Sequence, residues 1–295
     1  MKEPLFIGSA TAIVAPLRQG KPDPDALSVL IERQARGGTA ALVIHGTTGE
    51  AVTLSEPEKD ALLEQAVRQT AGRMKIIVGI GGNDTEASLR AALRAVSVGA
   101  DGLLMSTPYY NKTNPEGLRR HFLRVADEVE RPLILYNVPG RTGMNCSPEF
   151  YASLADHPWI NGIKEASGDM SQVSRTLRLC GDRLTIWSGN DDQTLPMMAL
   201  GAKGVISVAS NLIPGEIAAL CRAALDGRWQ TALALHRAYA ELFELLFSDV
   251  NPIPVKAALH RMGLISGEIR LPLVPIAGEK RQRLFRCLEK THLIE

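Results

Sequence analysis

The segment 162–168, GIKEASG, carries a single lysine, Lys164, at the end of a short apolar run that a glycine turn closes. A lysine placed there is poorly solvated, and desolvation favours its neutral, nucleophilic form over the ammonium. With an ordinary pKa of about 10.4 the amine is almost wholly protonated at neutral pH, and lowering that value by about 3 units takes roughly 4 kcal/mol of differential solvation. A Schiff base with a carbonyl compound is the commonest chemistry that uses such an amine. The other reading is a strand-end lysine whose stem is packed and whose head is in water or paired with Glu165. The heptapeptide by itself leaves both open.

The elements that would position Lys164 are legible from one end of the chain to the other. Short β-rich runs fall at 7–14, 41–45, 75–80, 102–106, 133–137, 161–164, 184–187 and 204–208. Helix-period segments alternate with them at 25–36, 56–71, 85–98, 115–129, 148–155, 170–179, 192–200 and 214–224. Ser55 before Glu56-Pro57-Glu58, and Ser147 before Pro148, place a capping hydroxyl ahead of a proline in the first turn. Eight βα units predict an α/β fold, the (β/α)8 TIM barrel. Segments 229–247, 252–262 and 279–288 then read as three helices, giving a barrel over 1–224 that carries the active site and a C-terminal helical region over 225–295 packed on it. A Rossmann-type sheet would need a phosphate loop, and Gly79-Ile80-Gly81-Gly82 lacks the third glycine of one.

Composition narrows the chemistry. With 295 residues, 45% hydrophobic and 22% charged, the chain can bury a large core. Its 33 basic and 32 acidic residues are interspersed and sum to +1, which offers no field for nucleic acid or an anionic membrane. Small-molecule chemistry is the default. Cys146, Cys180, Cys221 and Cys287 show neither zinc-ligand spacing nor a disulfide framework and read as reduced thiols of a cytoplasmic protein. The apolar N-terminus is interrupted by polar residues and reads as the first strand, and no apolar run approaches the ~18 residues of a membrane span.

In such a barrel the site forms at the C-terminal ends of the strands. There the second strand runs into Gly46-Thr47-Thr48-Gly49-Glu50, the fourth into Thr107-Pro108-Tyr109-Tyr110-Asn111, and the fifth into Tyr136-Asn137-Val138-Pro139-Gly140-Arg141. The sixth ends at Lys164 and the seventh in Ser188-Gly189. Strand alternation turns Lys164 and Gly162 to the same side, with Ile163 and Glu165 facing the helices, so Glu165 is not expected to neutralise the amine. Tyr136 shares a face with Ile134, and Ile206 with Gly204. A lysine, a tyrosine and a threonine loop would converge over a core with room for a three-carbon acid. Each residue also has a plainer use: Thr47 and Thr48 as turn hydroxyls, Tyr136 as a strand-end aromatic, Arg141 as a surface charge, Tyr109-Tyr110 as an interface.

Taken together, GTTGE at 46–50, TPYYN at 107–111, YNVPGRTG at 136–143, GIKEASG at 162–168, GVISV at 204–208 and NPIPVK at 251–256 resemble, in order and spacing, the dihydrodipicolinate synthase family of class I pyruvate lyases. The resemblance covers nearly the whole chain. It implies a Lys164 Schiff base with pyruvate, whose iminium is the electron sink that lets the methyl carbon lose a proton and attack L-aspartate 4-semialdehyde, a step of diaminopimelate and lysine biosynthesis. It also implies that Tyr136, Thr47 and Tyr110 relay protons, with Tyr110 reaching in from a neighbouring subunit. Backbone N–H groups at Thr47 and Thr48 would hold the pyruvate carboxylate, Arg141 the semialdehyde carboxylate, and Gly189 and Ile206 would line the pocket. No cofactor or metal is implied; a homo-oligomer is, mostly a tetramer built as a dimer of dimers.

The departures from that pattern carry their own expectations. Ala51, Lys59 and Ala87 stand where lysine-inhibited bacterial members have serine, histidine and glutamate, so lysine feedback is expected to be weak or absent although Asn83 and Tyr109 remain. Ala15 replaces a threonine, a packing change. His45 stands where small or aliphatic residues are usual, as a hydrogen-bonded core histidine or a group tuning the site. Sugar-acid lyases of the same chemistry, such as N-acetylneuraminate lyase, usually read GSTGE and lack the arginine, so Thr48 and Arg141 separate the readings. A silent paralogue would not need Lys164, Tyr136, Thr47 and Tyr110 intact.

Overall fold

The computed structural model describes residues 2–294. Eight parallel strands close a barrel: β1 (Gly8–Ala12), β2 (Ala41–Ile44), β3 (Lys75–Gly79), β4 (Gly102–Ser106), β5 (Leu133–Asn137), β6 (Ile160–Glu165), β7 (Thr185–Ser188) and β8 (Gly204–Ser207). β1 completes the ring by pairing with both β2 and β8. Between and after the strands lie α1 (Pro24–Gly37), α2 (Glu56–Thr70), α3 (Thr85–Val98), α4 (Pro115–Val129), the single turn α5 (Pro139–Thr142), α6 (Pro148–Leu154), α7 (Met170–Cys180), α8 (Thr194–Leu200) and α9 (Pro214–Leu225). The chain ends in α10 (Trp229–Leu245), α11 (Ile253–Arg261) and α12 (Gly278–Lys290). The fold expected from the alternating pattern is the one found.

Local chemistry explains the element starts. Ser55 and Glu58 form a reciprocal capping box at α2, and the Ser147 hydroxyl accepts from the Phe150 N–H at α6. Asp23, Asp84, Asn114 and Asp169 cap α1, α3, α4 and α7 in the same manner. Short features escaped the pattern: α5 inside the Pro-Gly-Arg-Thr turn, and a two-stranded hairpin of Leu17–Arg18 with Lys21–Pro22.

Inside the barrel, Ala10, Ala12, Ala41, Val43, Ile77, Leu104, Ile134 and Ile206 pack around Trp187, which stacks on Phe6 with ring centres 4.7 Å apart. Gly162 faces this ring: a Cβ there would stand 2.6 Å from the indole and 2.2 Å from the Thr185 carbonyl oxygen. Ile163 belongs to the other cluster, between the strands and the helices. The alternation that turns Lys164 and Gly162 inward is therefore realised. Among the described residues no helix is long and apolar enough to cross a membrane.

Candidate active site

A cavity of about 630 Å³ opens at the C-terminal ends of the strands, and Thr47, Thr48, Tyr136, Arg141, Lys164 and Gly189 all contribute to its wall. Tyr136 on β5 and Lys164 on β6 are register partners, which sets the Lys164 Nζ 4.3 Å from the centre of the Tyr136 ring. Lys164 is 5% exposed. Burial brings its pKa down to about 8; the Arg141 charge adds to that fall and the Asp191 carboxylate opposes it. Burial also pushes the Tyr136 hydroxyl up to about 12, against the pull of Arg141. A neutral phenol and an amine near its midpoint thus share one wall.

Glu165 is occupied on the outer side of that wall. Its oxygens accept from Asn137 Nδ2 (3.0 and 3.1 Å), from the Ser167 N–H (2.7 Å) and from Gln172 Nε2 (3.3 Å). It is not the partner of the amine, and burial raises its own pKa.

After β2 the backbone turns left-handed at His45 and enters two 3₁₀ turns, Thr47–Gly49 and Ala51–Thr53. A 3₁₀ turn leaves its first N–H groups without internal acceptors, and no side chain caps this one, so donors at the start of the loop are available to an anion. Thr47 is exposed to the cavity and Thr48 is buried, its hydroxyl accepting from Asn251 Nδ2 at 2.9 Å. The carbonyl of the same Asn251 accepts from Arg141 Nη2 at 3.1 Å. Glu50, left-handed at the end of the first turn, is 2.5 Å from Lys256 Nζ and also accepts from the Arg270 N–H at 3.1 Å. Lys256 Nζ donates in addition to the Ala15 carbonyl. The loop is therefore braced from beyond residue 224, and Phe247, Asp249, Val250, Asn251, Pro252 and Leu273 line the cavity itself.

Two expected site residues lie apart from this group. Ile206 has no exposed surface and sits in the barrel core rather than at the cavity wall, because its inward face is filled by the packing around Trp187. Tyr110 is 92% exposed, in left-handed backbone on the loop after β4, while its neighbour Tyr109 lines the cavity. His45 is not a fully hydrogen-bonded core residue: its Nε2 is buried without a partner among the described residues, and burial brings its pKa to about 4. The braces Asn251, Lys256 and Arg270, and the carboxylate of Asp191, were not singled out from sequence as site residues. The apolar NPIPVK block held the one available signal, a lysine in a segment otherwise fit for burial. All four cysteines are free and buried.

The model of the dihydrodipicolinate synthetase family matches residues 5–291. The chain is 44% identical over 290 residues to the 4-hydroxy-tetrahydrodipicolinate synthase of Alkaliphilus oremlandii, covering 98% of this chain and 100% of that one. Its fold superposes with a TM-score of 0.95 on dihydrodipicolinate synthase from Aquifex aeolicus, at 43% identity over 98% of this chain and 99% of the other. A TM-score of 0.95 at 42% identity, again over 98% and 99%, relates it to the chloride-inhibited dihydrodipicolinate synthase of Acinetobacter baumannii complexed with pyruvate. Matched in sequence and in fold across nearly its full length, the chain belongs to the dihydrodipicolinate synthetase family.

Proposed function

We propose that Lys164 is the Schiff-base nucleophile of a 4-hydroxy-tetrahydrodipicolinate synthase, a class I lyase that condenses pyruvate with L-aspartate 4-semialdehyde. The observation that carries this reading is the buried amine, at a pKa of about 8, set against Tyr136 in a cavity that also holds Arg141. The neutral amine attacks the ketone carbon of pyruvate and water leaves, giving an iminium. A methyl proton is then lost, and the electron pair moves to nitrogen as an enamine forms. The enamine carbon bonds to the aldehyde carbon, whose oxygen takes a proton, and the semialdehyde's own amine finally displaces the lysine nitrogen as the ring closes.

Tyr136 and Thr47, sharing the cavity, transfer protons at the ketone and aldehyde oxygens, since a hydroxyl donates and accepts at once. The N–H groups of Thr47 and Thr48 hold the pyruvate carboxylate. Arg141 holds the semialdehyde carboxylate through its planar fork, with Asn251 fixing its direction. Gly189 gives the cavity its width beside Lys164, and Ile206 supports the site from the barrel core. The exposure of Tyr110 supports a site completed by a second copy, hence at least a dimer and, in our reading, a tetramer. Four buried free thiols support a cytoplasmic location. Lys59 pairs with Glu56 at 2.8 Å and Ala87 offers no carboxylate, which supports weak or absent inhibition by lysine.

Borohydride reduction in the presence of pyruvate should add a three-carbon acid to Lys164, read by peptide mass spectrometry. Turnover should then follow with aspartate semialdehyde and not with N-acetylmannosamine. An unmodified Lys164 overturns the mechanism; turnover with the sugar alone overturns the substrate.

A further inference from the structure

Asp191 opens the 3₁₀ turn Asp191–Gln193 just after β7 and is 2% exposed. Its Oδ1 accepts from the Ser207 hydroxyl at 2.5 Å, and its Oδ2 accepts from the N–H groups of Val208 (3.1 Å) and Ala209 (2.9 Å). The Ser207 oxygen itself accepts from the Ser210 N–H at 2.8 Å, so the single hydroxyl proton is left for Asp191. Burial raises the pKa of this carboxylate, and the three donors aimed at it, with the Lys164 charge, pull the other way, toward the anion.

The loop that leads from β7 into this turn lies against the reacting lysine. The Gly189 N–H donates to the Glu165 carbonyl at 2.7 Å, and a Cβ on Gly189 would stand 3.2 Å from Lys164 Cε. Asp191 fastens this turn to the end of β8, so it fixes the main chain that touches Lys164. The charged and titratable groups around the pair are few. Arg141 repels the cationic lysine and Asp191 attracts it; Glu165 acts on Tyr136 from outside the wall, and the Asp191 charge, after burial, raises the pKa of the Cys221 thiol of α9. The charge that acts on Asp191 in return is that of Lys164.

We propose that Asp191 is the fixed counter-charge of the reaction centre, a positioning residue that pins the Gly189 turn against Lys164 and stabilises the cationic iminium formed there. The proposal rests on Lys164 being the nucleophile. The chemistry needs such a group because burial that yields a neutral amine equally disfavours the positive nitrogen that follows. An anion held by backbone donors meets that charge without reorganising when it appears, and in a site shielded from water its field is weakly screened. The carboxylate exchanges no proton with substrate; its donors occupy it throughout.

The test uses the full-length enzyme and Asp191→Asn, which removes the charge at nearly constant shape. Expected are a fall in kcat of about 10²-fold, a lower titration midpoint for Lys164 by about one pH unit, and about tenfold less borohydride-trapped pyruvate imine at subsaturating pyruvate. Asp191→Glu and Ser207→Ala keep the anion, and are expected to lower Tm while leaving the midpoint of Lys164 in place. They decide the matter if Asp191→Asn does not fold. A folded Asp191→Asn with the wild-type midpoint and imine level overturns the proposal, and so does a midpoint that moves in the charge-retaining variants in step with Tm. Failure to trap Lys164 in the wild-type enzyme would instead overturn the nucleophile assignment.

Discussion

Tyr136 and Lys164 occupy matching positions on adjacent strands, so the amine lies 4.3 Å from the centre of the phenol ring and both side chains open to the same cavity. The arrangement separates what the ring does from what the hydroxyl does. Tyr136→Phe keeps the packing around Lys164 and removes only the group able to move protons. Its kcat should fall by about 10²–10⁴-fold, with Tm little changed and the pyruvate imine still trapped by borohydride. Retention of more than a tenth of wild-type kcat would end the assignment of Tyr136 to proton transfer.

The pH dependence of Lys164 has a definite sign. The attacking species is the neutral amine, and burial places its midpoint near 8. The rate of imine formation with pyruvate should therefore rise through about pH 8 and level off above it. Between that pH and the unfolded lysine value of about 10.4 the unfolded chain binds more protons, so this group adds stability as pH rises through the window. Stopped-flow measurement of imine formation checks it; a midpoint close to 10.4 would show a solvated ammonium and remove the nucleophile.

Tyr110, at 92% exposure, is left uncovered within a single copy of the chain. If a second copy inserts it into the neighbouring site, Tyr110→Phe should lower turnover far more than pyruvate affinity. Specific activity should also fall on dilution as the assembly dissociates. Sedimentation and kinetics on the same samples provide the check, and a fully active monomer would return Tyr110 to the surface.

Glu50 and Lys256 form an ion pair in which the side chains are 2% and 1% exposed. Removing either partner strands a buried charge, so Glu50→Gln or Lys256→Met should each lose about 3–5 kcal/mol of stability. The double variant Glu50→Gln/Lys256→Met should lose clearly less than the sum of the two single losses. Denaturant unfolding measures the cycle; additive losses would mean that the pair is not coupled.

What the sequence makes legible is what depends on near neighbours. Alternation along β6 turns Lys164 and Gly162 one way and Glu165 the other, and the caps at Ser55 and Ser147 are decided within a single turn. The braces of the site obey no such local rule. Asn251 meets Thr48 across 203 residues, Lys256 meets Glu50 across 206, and Asp191 reaches Ser207 around a helix. Tyr110 and Ile206 were expected at the site on the strength of a motif, and where their side chains lie is settled by loop conformation and core packing, which the motif does not specify.

The bracing of residues 46–50 by Asn251, Lys256 and Arg270 also orders events in time. During synthesis the loop emerges early, yet its hydrogen-bond partners lie 203 to 220 residues further along the chain. At about 5–20 residues per second, that interval is about 10–40 s. A nascent chain can already expose Lys164 and most of the barrel while its anion-holding loop is still unfixed. Competence for the two-substrate reaction then arrives late in translation, once Arg270 has emerged, and until the barrel closes around it Lys164 stays a solvated ammonium without a free electron pair.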